Sequence, residues 1–210
     1  MTMKTMTRTG TVLAATLLGV AFAAGAAGAS PEVGKTAPDF GVTDSKGTTH
    51  RLSDYQGKTI ILEWTNHGCP YVRRHYSSGN MQALQKETTG EGVVWLSVIS
   101  SPPGMQGHVN GPEADDLTVS RDAAPTAVLL DPRGDVGRLY DARTTPHMYV
   151  IDPEGRLVYN GAIDDSPYAS QAETRSAANH VRRALDQLSR GEPVDPAVTR
   201  PYGCTVKYGS

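Results

Sequence analysis

Cysteine is scarce in this chain, whose 210 residues include only Cys69 and Cys204. Two cysteines allow at most one disulfide within the chain, and a single structural disulfide is the simplest interpretation of the pair. A metal site built on Cys69 and a nearby histidine such as His67 would have few ligands and no recognisable spacing. We therefore expect no metal and no cofactor.

Runs of basic residues are also absent. The chain has 20 Lys and Arg against 22 Asp and Glu, and two of the basic residues, Lys4 and Arg8, lie in the N-terminal segment described next. The remaining sequence is mildly acidic. Without a basic run, it does not favour nucleic acid or an anionic lipid as a partner.

An apolar run long enough to cross a membrane is missing as well. Residues 12–24 are mostly apolar, but a transmembrane helix needs about 20 such residues. Lys4 and Arg8 precede this run and small residues at 27–29 follow it, which is the pattern of a secretory signal peptide. No cysteine lies directly after the cleavage site and no twin arginine precedes the run, so neither a lipid anchor nor twin-arginine export is indicated. We expect residues 1–29 to be removed and the rest to be exported, to the periplasm or the cell exterior, without membrane attachment.

The roughly 180 residues that remain are enough for one domain with a hydrophobic core. We assign residues 30–190 to this domain. Residues 191–210 are assigned to an extended tail that carries Cys204, because prolines at positions 193, 196 and 201 disfavour regular structure there.

Apolar runs in the domain predict five strands. A helix separates the first two strands, which makes a parallel crossover, and the last two strands form an antiparallel hairpin. Turn residues 44–47 predict a further, N-terminal hairpin. The result is an α/β fold with a central mixed sheet flanked by helices. The expected strands are residues 58–65, 92–100, 127–131, 147–151 and 156–162, and the expected C-terminal helix is residues 172–190.

Cys69 follows the first of these strands directly. Pro70 suits the first position of a helix, where its missing N–H is not needed. Cys69 is therefore expected at a helix N-terminus, where free N–H groups and the helix dipole stabilise a thiolate. Arg73 and Arg74 would add positive charge if they fold back. The alternative, which the sequence leaves open, is that both arginines and His75 form a solvated basic face.

Glu63 lies inside the otherwise apolar first strand, six residues before Cys69. A buried carboxylate is costly unless it is paired or protonated. One hypothesis is that Glu63 transfers protons to or from the thiol. The other is that it points to the sheet edge or pairs with an arginine.

The dipeptide Thr145-Pro146 precedes the fourth strand. Proline lacks the N–H that a central strand donates, and a cis peptide bond at this position would explain its presence. We expect that bond to be cis and to lie beside Cys69.

Together these motifs resemble the redoxin branch of the thioredoxin superfamily, which includes relatives of the alkyl hydroperoxide reductase and thiol-specific antioxidant group. The resemblance covers about residues 33–188. It rests on Val33-Gly34-Lys35, Pro38-Asp39-Phe40, Asn66-His67-Gly68-Cys69-Pro70-Tyr71-Val72 and Thr145-Pro146, and the segment Pro201–Tyr208 resembles a tail found in one exported subgroup.

The resemblance implies a thioredoxin-like fold and a role for each site residue. Cys69 takes the place of the attacking thiol, Thr145 and Pro146 that of the cis-proline segment, and Glu63 that of the buried acid. Cys204 is the expected partner thiol.

Two positions depart from the patterns of better-known relatives. Thioredoxins carry a second cysteine where this chain has Val72, so no local disulfide can form. Peroxiredoxins carry Thr and Pro where this chain has Asn66 and Leu62, and Thr65 lies one place off. The usual peroxide pocket is therefore altered.

Two functional hypotheses follow. In the first, Cys69 attacks a protein disulfide or a small peroxide and Cys204 resolves the intermediate, with a thiol electron donor that the sequence does not identify. Thirteen residues of extended chain after Gly191 reach roughly 45 Å, which is enough to bring Cys204 to Cys69. In the second, a Cys69–Cys204 disulfide staples a non-catalytic binding or scaffold protein, which the fold alone does not exclude.

Overall fold

The computed structural model describes residues 1–2 and 30–209. The predicted signal peptide therefore lies almost entirely outside the described residues. Among those residues, no helix combines the length and the apolar character that crossing a membrane requires.

The described chain contains nine strands, six α-helices and one turn of 3-10 helix at Leu52–Tyr55. The strands are β1 (Gly41–Thr43), β2 (Thr49–Arg51), β3 (Ile60–Trp64), β4 (Val94–Ile99), β5 (Ala127–Leu130), β6 (Thr144–Thr145), β7 (His147–Ile151), β8 (Leu157–Gly161) and β9 (Cys204–Thr205). The helices are α1 (Pro70–Ser77), α2 (Asn80–Gly90), α3 (Gly111–Ser120), α4 (Asp135–Leu139), α5 (Gln171–Thr174) and α6 (His180–Ser189).

Five strands form a central mixed sheet in the order β5-β4-β3-β7-β8. Strand β3 pairs in parallel with β4, from Ile60 opposite Val94 to Trp64 opposite Val98, and β4 pairs in parallel with β5. Strands β7 and β8 complete the sheet with antiparallel pairings. The predicted α/β fold, its five sheet strands and the N-terminal β1–β2 hairpin are confirmed.

All five residues of β3 are buried, as expected of a central strand that is covered on both faces. Because side chains alternate along a strand, Leu62 and Trp64 enter one core, and Ile61 and Glu63 face the other side. Cys69 belongs to this second side, beneath α1 and α2. The acid and the thiol are thus on the same face of the sheet.

The prediction of one helix over residues 172–190 is wrong, because two helices, α5 and α6, occupy this region. The backbone at the break is engaged elsewhere: Ala178 N–H donates to the Asp165 carboxylate at 3.1 Å, and His180 N–H donates to the Ile163 carbonyl at 2.9 Å. The Asn179 side chain then caps α6 by accepting from Arg182 N–H at 3.0 Å. These long-range contacts override the helical spacing of the alanines.

The C-terminal tail lies along the domain in extended form. Thr199 N–H donates to the Asn160 carbonyl at 3.1 Å, beside strand β8, and Ala162 N–H donates to Thr199 Oγ1 at 2.9 Å. Gly161 makes this approach possible, because a Cβ atom there would lie 2.1 Å from Thr199 Oγ1. Farther along, β9 pairs antiparallel with β6. The tail therefore returns to the end of the sheet where Cys69 lies.

Candidate functional site

Cys69 is the N-cap residue of α1, with extended backbone angles (φ −75°, ψ 125°) and Pro70 at the first helical position. Its N–H donates to the Asn66 carbonyl at 3.0 Å, and its own carbonyl accepts the first helical hydrogen bond from Arg73 N–H at 2.9 Å. The sulfur thus starts at the end of α1 where unpaired N–H groups favour a negative charge. The predicted strand-to-helix junction is confirmed.

The turn before Cys69 is fixed by its own side chains and by the loop after β4. Asn66 Oδ1 accepts from Gly68 N–H at 2.8 Å, and Asn66 Nδ2 donates to the Gln106 carbonyl at 3.2 Å. Gln106 Nε2 donates in turn to the Gly68 carbonyl at 3.1 Å. A Cβ atom at residue 68 would lie only 2.9 Å from the Gln106 side chain. Asn66, which replaces the peroxiredoxin threonine, thus shapes this turn.

The Thr145-Pro146 bond is cis, as predicted, and it lies beside Cys69. The Cys69 thiol donates to the Thr145 carbonyl oxygen at 3.0 Å. The Cys69 residue is 0% exposed. Its sulfur is therefore enclosed between the start of α1 and the segment before Pro146.

Cys204 reaches the same place from the tail. In the antiparallel pair of β6 and β9, Thr145 lies directly opposite Cys204, and Thr145 Oγ1 donates to the Cys204 carbonyl at 3.4 Å. Gly203 lies against Thr145 so closely that a Cβ atom would be 2.1 Å from the Thr145 carbonyl oxygen. Both cysteines are free thiols in this arrangement, and Thr145 contacts each of them.

The two thiols have pKa values that shift in opposite directions. Burial has the largest influence on Cys69 and raises its pKa, but hydrogen bonds from the Cys204 thiol, Val72 N–H and the Thr145 side chain outweigh burial and hold the pKa below its ordinary value. Burial, the hydrogen bond to Cys69 and the charge on Cys69 raise the pKa of Cys204 to about 11. The arrangement suits one thiolate, on Cys69, with Cys204 as its hydrogen-bond donor.

Glu63 is fully buried in the central strand β3 and accepts hydrogen bonds from neutral donors. The expectation of an edge position or an arginine partner is wrong. No hydrogen bond joins Glu63 to Cys69 in the described part of the chain, so proton transfer by Glu63 stays a prediction. The donors to its carboxylate are Tyr76 Oη at 3.1 Å, Gln85 Nε2 at 3.1 Å, Trp95 Nε1 at 2.9 Å and Ser97 Oγ at 2.9 Å.

The three basic residues of α1 do not form a shared solvated face. Arg73 is exposed, but Arg74 is half-buried and His75 is fully buried. Arg74 and His75 both contact the hydroxyl of Tyr202 in the tail, at 3.1 Å and 3.0 Å. Burial lowers the pKa of His75 to about 4, so this ring is neutral at physiological pH.

His67 is half-buried, and its Nδ1 atom has no hydrogen-bond partner among the described residues. Burial and the charge of Arg121 lower its pKa. No three His, Cys, Asp or Glu side chains in the described ranges 1–2 and 30–209 are grouped closely enough to hold a metal ion.

Sequence reasoning missed three parts of this site: the Asn66 and Gln106 contacts, the pairing of β9 with β6, and the environment of Tyr202. The position of Tyr202, two residues before Cys204 in the tail, was the available signal. Its partners Arg74 and Asp164 lie far away in the chain, and no local pattern connects them to the tail.

Comparison with known proteins gives a consistent family assignment. The AhpC/TSA family matches residues 33–160. The thiol-disulfide oxidoreductase ResA of Geobacillus kaustophilus (strain HTA426) is 29% identical over 126 residues, which are 60% of this chain and 66% of that protein. The chain thus matches just under two thirds of the length of this relative.

Solved structures share the fold. An uncharacterized conserved protein from Geobacillus kaustophilus is 25% identical with a TM-score of 0.72, and the match covers 85% of this chain and 93% of that one. A putative thiol:disulfide interchange protein DsbE from Chlorobium tepidum is 23% identical with a TM-score of 0.51, over 62% of this chain and 85% of that one. The central mixed sheet with flanking helices is therefore a thioredoxin-like architecture.

Proposed function

This chain belongs to the AhpC/TSA family, and on that basis we propose that it is a thiol-disulfide oxidoreductase in which Cys69 attacks the substrate and Cys204 resolves the intermediate. One observation carries the proposal. Thr145 accepts a hydrogen bond from the Cys69 thiol and lies opposite Cys204 in the β6–β9 pair, so two cysteines from distant parts of the chain meet at one residue.

The reaction starts with the Cys69 thiolate. It attacks one sulfur of a substrate disulfide, a Cys69–substrate disulfide forms, and the other substrate sulfur leaves as a thiolate that takes up a proton. Cys204 then loses its proton and attacks the Cys69 sulfur. The second substrate thiolate leaves and the Cys69–Cys204 disulfide forms. The substrate disulfide has gained two electrons, and an external dithiol donor returns the protein to its reduced form.

The opposite pKa shifts order these two steps. The hydrogen bond to Cys69 and the negative charge of its thiolate both raise the pKa of Cys204, second only to burial. Once Cys69 is bound in a mixed disulfide, that charge is gone and both influences disappear. Deprotonation of Cys204 therefore becomes easier after the first step, when its thiolate is needed.

A disulfide substrate is better supported than a peroxide. At the position of the peroxiredoxin threonine, the Asn66 amide is occupied by Gly68 N–H and the Gln106 carbonyl. Its polar atoms hold the turn together and are not free to bind a peroxide. The curated relative with 29% identity is named a thiol-disulfide oxidoreductase, which agrees with this choice.

The test is to trap the intermediate. Reduced wild-type protein, Cys69→Ser and Cys204→Ser are each mixed briefly with oxidised glutathione and examined by mass spectrometry, and each is assayed for insulin reduction with dithiothreitol. We expect a glutathione adduct on Cys69 in Cys204→Ser, no adduct in Cys69→Ser, and an internal disulfide in the wild type.

The scaffold hypothesis gives a different pattern. A structural disulfide stabilises a domain by about 2–4 kcal/mol, and removing either cysteine has the same effect. If both variants lose similar thermal stability and neither traps an adduct or changes insulin reduction, the oxidoreductase proposal is wrong.

We also infer that the chain works outside the cytoplasm. The support is the pattern of residues 1–29, with a basic start, a short apolar run and small residues before position 30. N-terminal sequencing of the protein recovered from a periplasmic or culture-medium fraction tests this. An intact N-terminus on cytoplasmic protein alone would contradict it.

A further inference from the structure

Tyr202, two residues before Cys204, places its hydroxyl at the centre of a buried polar cluster. The hydroxyl donates to Asp164 Oδ1 and accepts from Arg74 Nη2 at 3.1 Å. His75 Nε2 is also within hydrogen-bond distance, at 3.0 Å. We name Arg74, His75, Asp164 and Tyr202 the tail latch, because three of these residues belong to the domain and one to the tail.

Arg74 connects the tail latch to a third segment of the chain. Besides Tyr202, its guanidinium donates to the carbonyls of Ser166, Pro167 and Ala169, at 3.2, 2.8 and 3.0 Å. It also lies over the Tyr202 ring, 5.6 Å from the ring centre. One side chain therefore links α1, the loop before α5 and the tail.

The polar character of the tail latch is informative. Asp164 is 2% exposed and His75 is 0% exposed, and burying such groups is costly compared with an apolar contact of the same size. Apolar side chains alone would be enough to attach the tail to the domain. Directional hydrogen bonds instead fix the position of one atom, the Tyr202 oxygen, and with it the chain that continues to Cys204.

The docked tail also covers the attacking thiol. Tyr202 and Cys204 pack against the same apolar cluster that contains Cys69, and the Cys69 residue has no exposed surface. A substrate disulfide of any size cannot reach this sulfur until the tail moves. The first step of the reaction needs the tail to be away, whereas the second needs it in place.

We propose that Tyr202 is the positioning residue of the resolving cysteine: its hydroxyl docks the tail so that Cys204 faces Cys69, and its release opens Cys69 to substrate. This inference rests on the proposed function for its effect on the resolution step. Its effect on access to Cys69 is a property of the reduced protein and holds without any substrate.

The proposal predicts opposite effects on the two steps. Tyr202→Phe keeps the ring but removes the hydroxyl and all three of its polar contacts. The open form becomes more populated, so Cys69 reacts faster with external reagents. At the same time Cys204 spends less time beside Cys69, so the internal disulfide forms less readily. A residue with only a structural role would not separate the two effects in this way.

Two measurements test this. The first is the alkylation rate of Cys69 by iodoacetamide in Cys204→Ser and in the Tyr202→Phe/Cys204→Ser double variant, where Cys69 is the only cysteine. We expect about a tenfold increase, the size expected for losing a hydrogen bond to charged groups. The second is the equilibrium of the Cys69–Cys204 disulfide with glutathione, where Tyr202→Phe should lower the effective concentration of Cys204 about tenfold.

Tyr140→Phe is the matched control. The Tyr140 hydroxyl is buried and donates to the Pro38 carbonyl at 2.7 Å, on the other side of the sheet. Tyr140→Phe removes this one buried hydrogen bond between neutral groups without touching the tail latch. We expect both measurements to match wild type for this control, even where its melting temperature falls as much as that of Tyr202→Phe.

The outcomes separate this inference from the proposed function. Unchanged alkylation in Tyr202→Phe, or equal changes in Tyr140→Phe, overturns the positioning role. If the wild type forms no internal disulfide with glutathione while Tyr202→Phe still accelerates alkylation, the docking role stands and the resolving role of Cys204 is wrong.

Discussion

The two cysteines of the site are held by their surroundings in different ways. Cys69 begins a helix directly after the central strand, and hydrogen bonds through Asn66 and Gln106 fix the turn before it. Cys204 belongs to a two-residue strand, β9, which among the described residues pairs with β6 in a sheet separate from the central one. Cys69 is part of the buried core, whereas Cys204 is only partly buried and packs against that core. The domain can therefore keep its fold while the tail changes position.

Gly203→Ala gives the largest expected effect, because the added Cβ atom blocks the contact between the tail and the Thr145 backbone. A Cβ atom at this position would lie 2.1 Å from the Thr145 carbonyl oxygen, and the φ angle of 134° is unfavourable for alanine. We expect the tail to lose its place and the internal disulfide to form about a thousandfold more slowly, as expected when an oriented neighbour becomes merely tethered. Stopped-flow measurement of adduct resolution tests this.

For the domain, we expect Gly203→Ala to have little effect. Its melting temperature should stay close to that of the wild type, and Cys69 should still be alkylated. A variant that resolves the adduct at the wild-type rate, or that unfolds as a whole, would show that the tail and the domain are not separable as proposed.

Acidification is expected to affect both regions through buried histidines. Burial lowers the pKa of His75, in the tail latch, and of His147, in the domain, from 6.5 to about 4. Between these values the unfolded chain binds more protons than the folded chain, so stability falls as the pH falls from about 6.5 to 4. The loss should approach about 2 kcal/mol for each histidine at pH 5.

Urea unfolding at pH 7 and pH 5 measures this loss. His75→Gln should remove part of the difference, because the protonated state of His75 no longer contributes. Equal stability at the two pH values would contradict the neutral, buried state of both rings.

Glu63→Gln tests the domain core without changing the tail. The Gln side chain keeps the shape, and its carbonyl oxygen can take the place of Oε2, which accepts from Gln85, Trp95 and Ser97. Its NH2 group then meets the Tyr76 hydroxyl, which has to change from a hydrogen-bond donor to an acceptor. We expect a loss of about 1.5 kcal/mol in the free energy of unfolding. The alkylation rate of Cys69 in the Cys204→Ser background should not change, because the tail is untouched.

The proposed proton transfer by Glu63 predicts one further property of Glu63→Gln. If Glu63 exchanges protons with the thiols, the pH profile of insulin reduction shifts in Glu63→Gln, whereas the exposed-acid control Glu87→Gln leaves it unchanged. An unchanged profile in both variants would leave Glu63 with a structural role only.

The smallest expected effect is on the titration of Cys69. Its pKa is held down in part by a hydrogen bond from the Cys204 thiol, so Cys204→Ala should raise the midpoint of alkylation against pH. Cys204→Ser keeps a donor and should raise it less. Identical midpoints in the wild type and Cys204→Ala would mean that Cys204 does not contact the thiolate.

What the sequence predicts about this site is what local patterns encode. The apolar runs locate the five sheet strands, Pro70 after Cys69 marks the helix start, and Pro146 before β7 marks the cis bond. Each depends on neighbouring residues only. Glu63 shows how far local patterns reach. The strand pattern predicts that this acid is buried, but it does not predict the neutral donors, which come from α1, α2 and β4.

The features that could not be predicted depend on contacts between distant segments. The break between α5 and α6 follows from pairing with residues 163–165. Likewise, neither the position of Tyr202 between Arg74 and Asp164 nor the pairing of β9 with β6 has a local signature. Helical spacing and proline content are properties of the local sequence, so they do not predict such contacts.

The tail is attached on both sides of Cys204, and this changes what its opening means. On the N-terminal side of Cys204, Thr199 is hydrogen-bonded beside β8. On its C-terminal side, Val206 N–H donates to the Arg143 carbonyl at 3.0 Å, and Tyr208 Oη donates to the Ala142 carbonyl at 2.6 Å. Release of Tyr202 between these anchors produces a short closed loop and not a free end. The entropy lost on closing such a loop is small, because it grows only with the logarithm of loop length. A Cys69 adduct would therefore meet Cys204 again before a thiol from solution could compete for it.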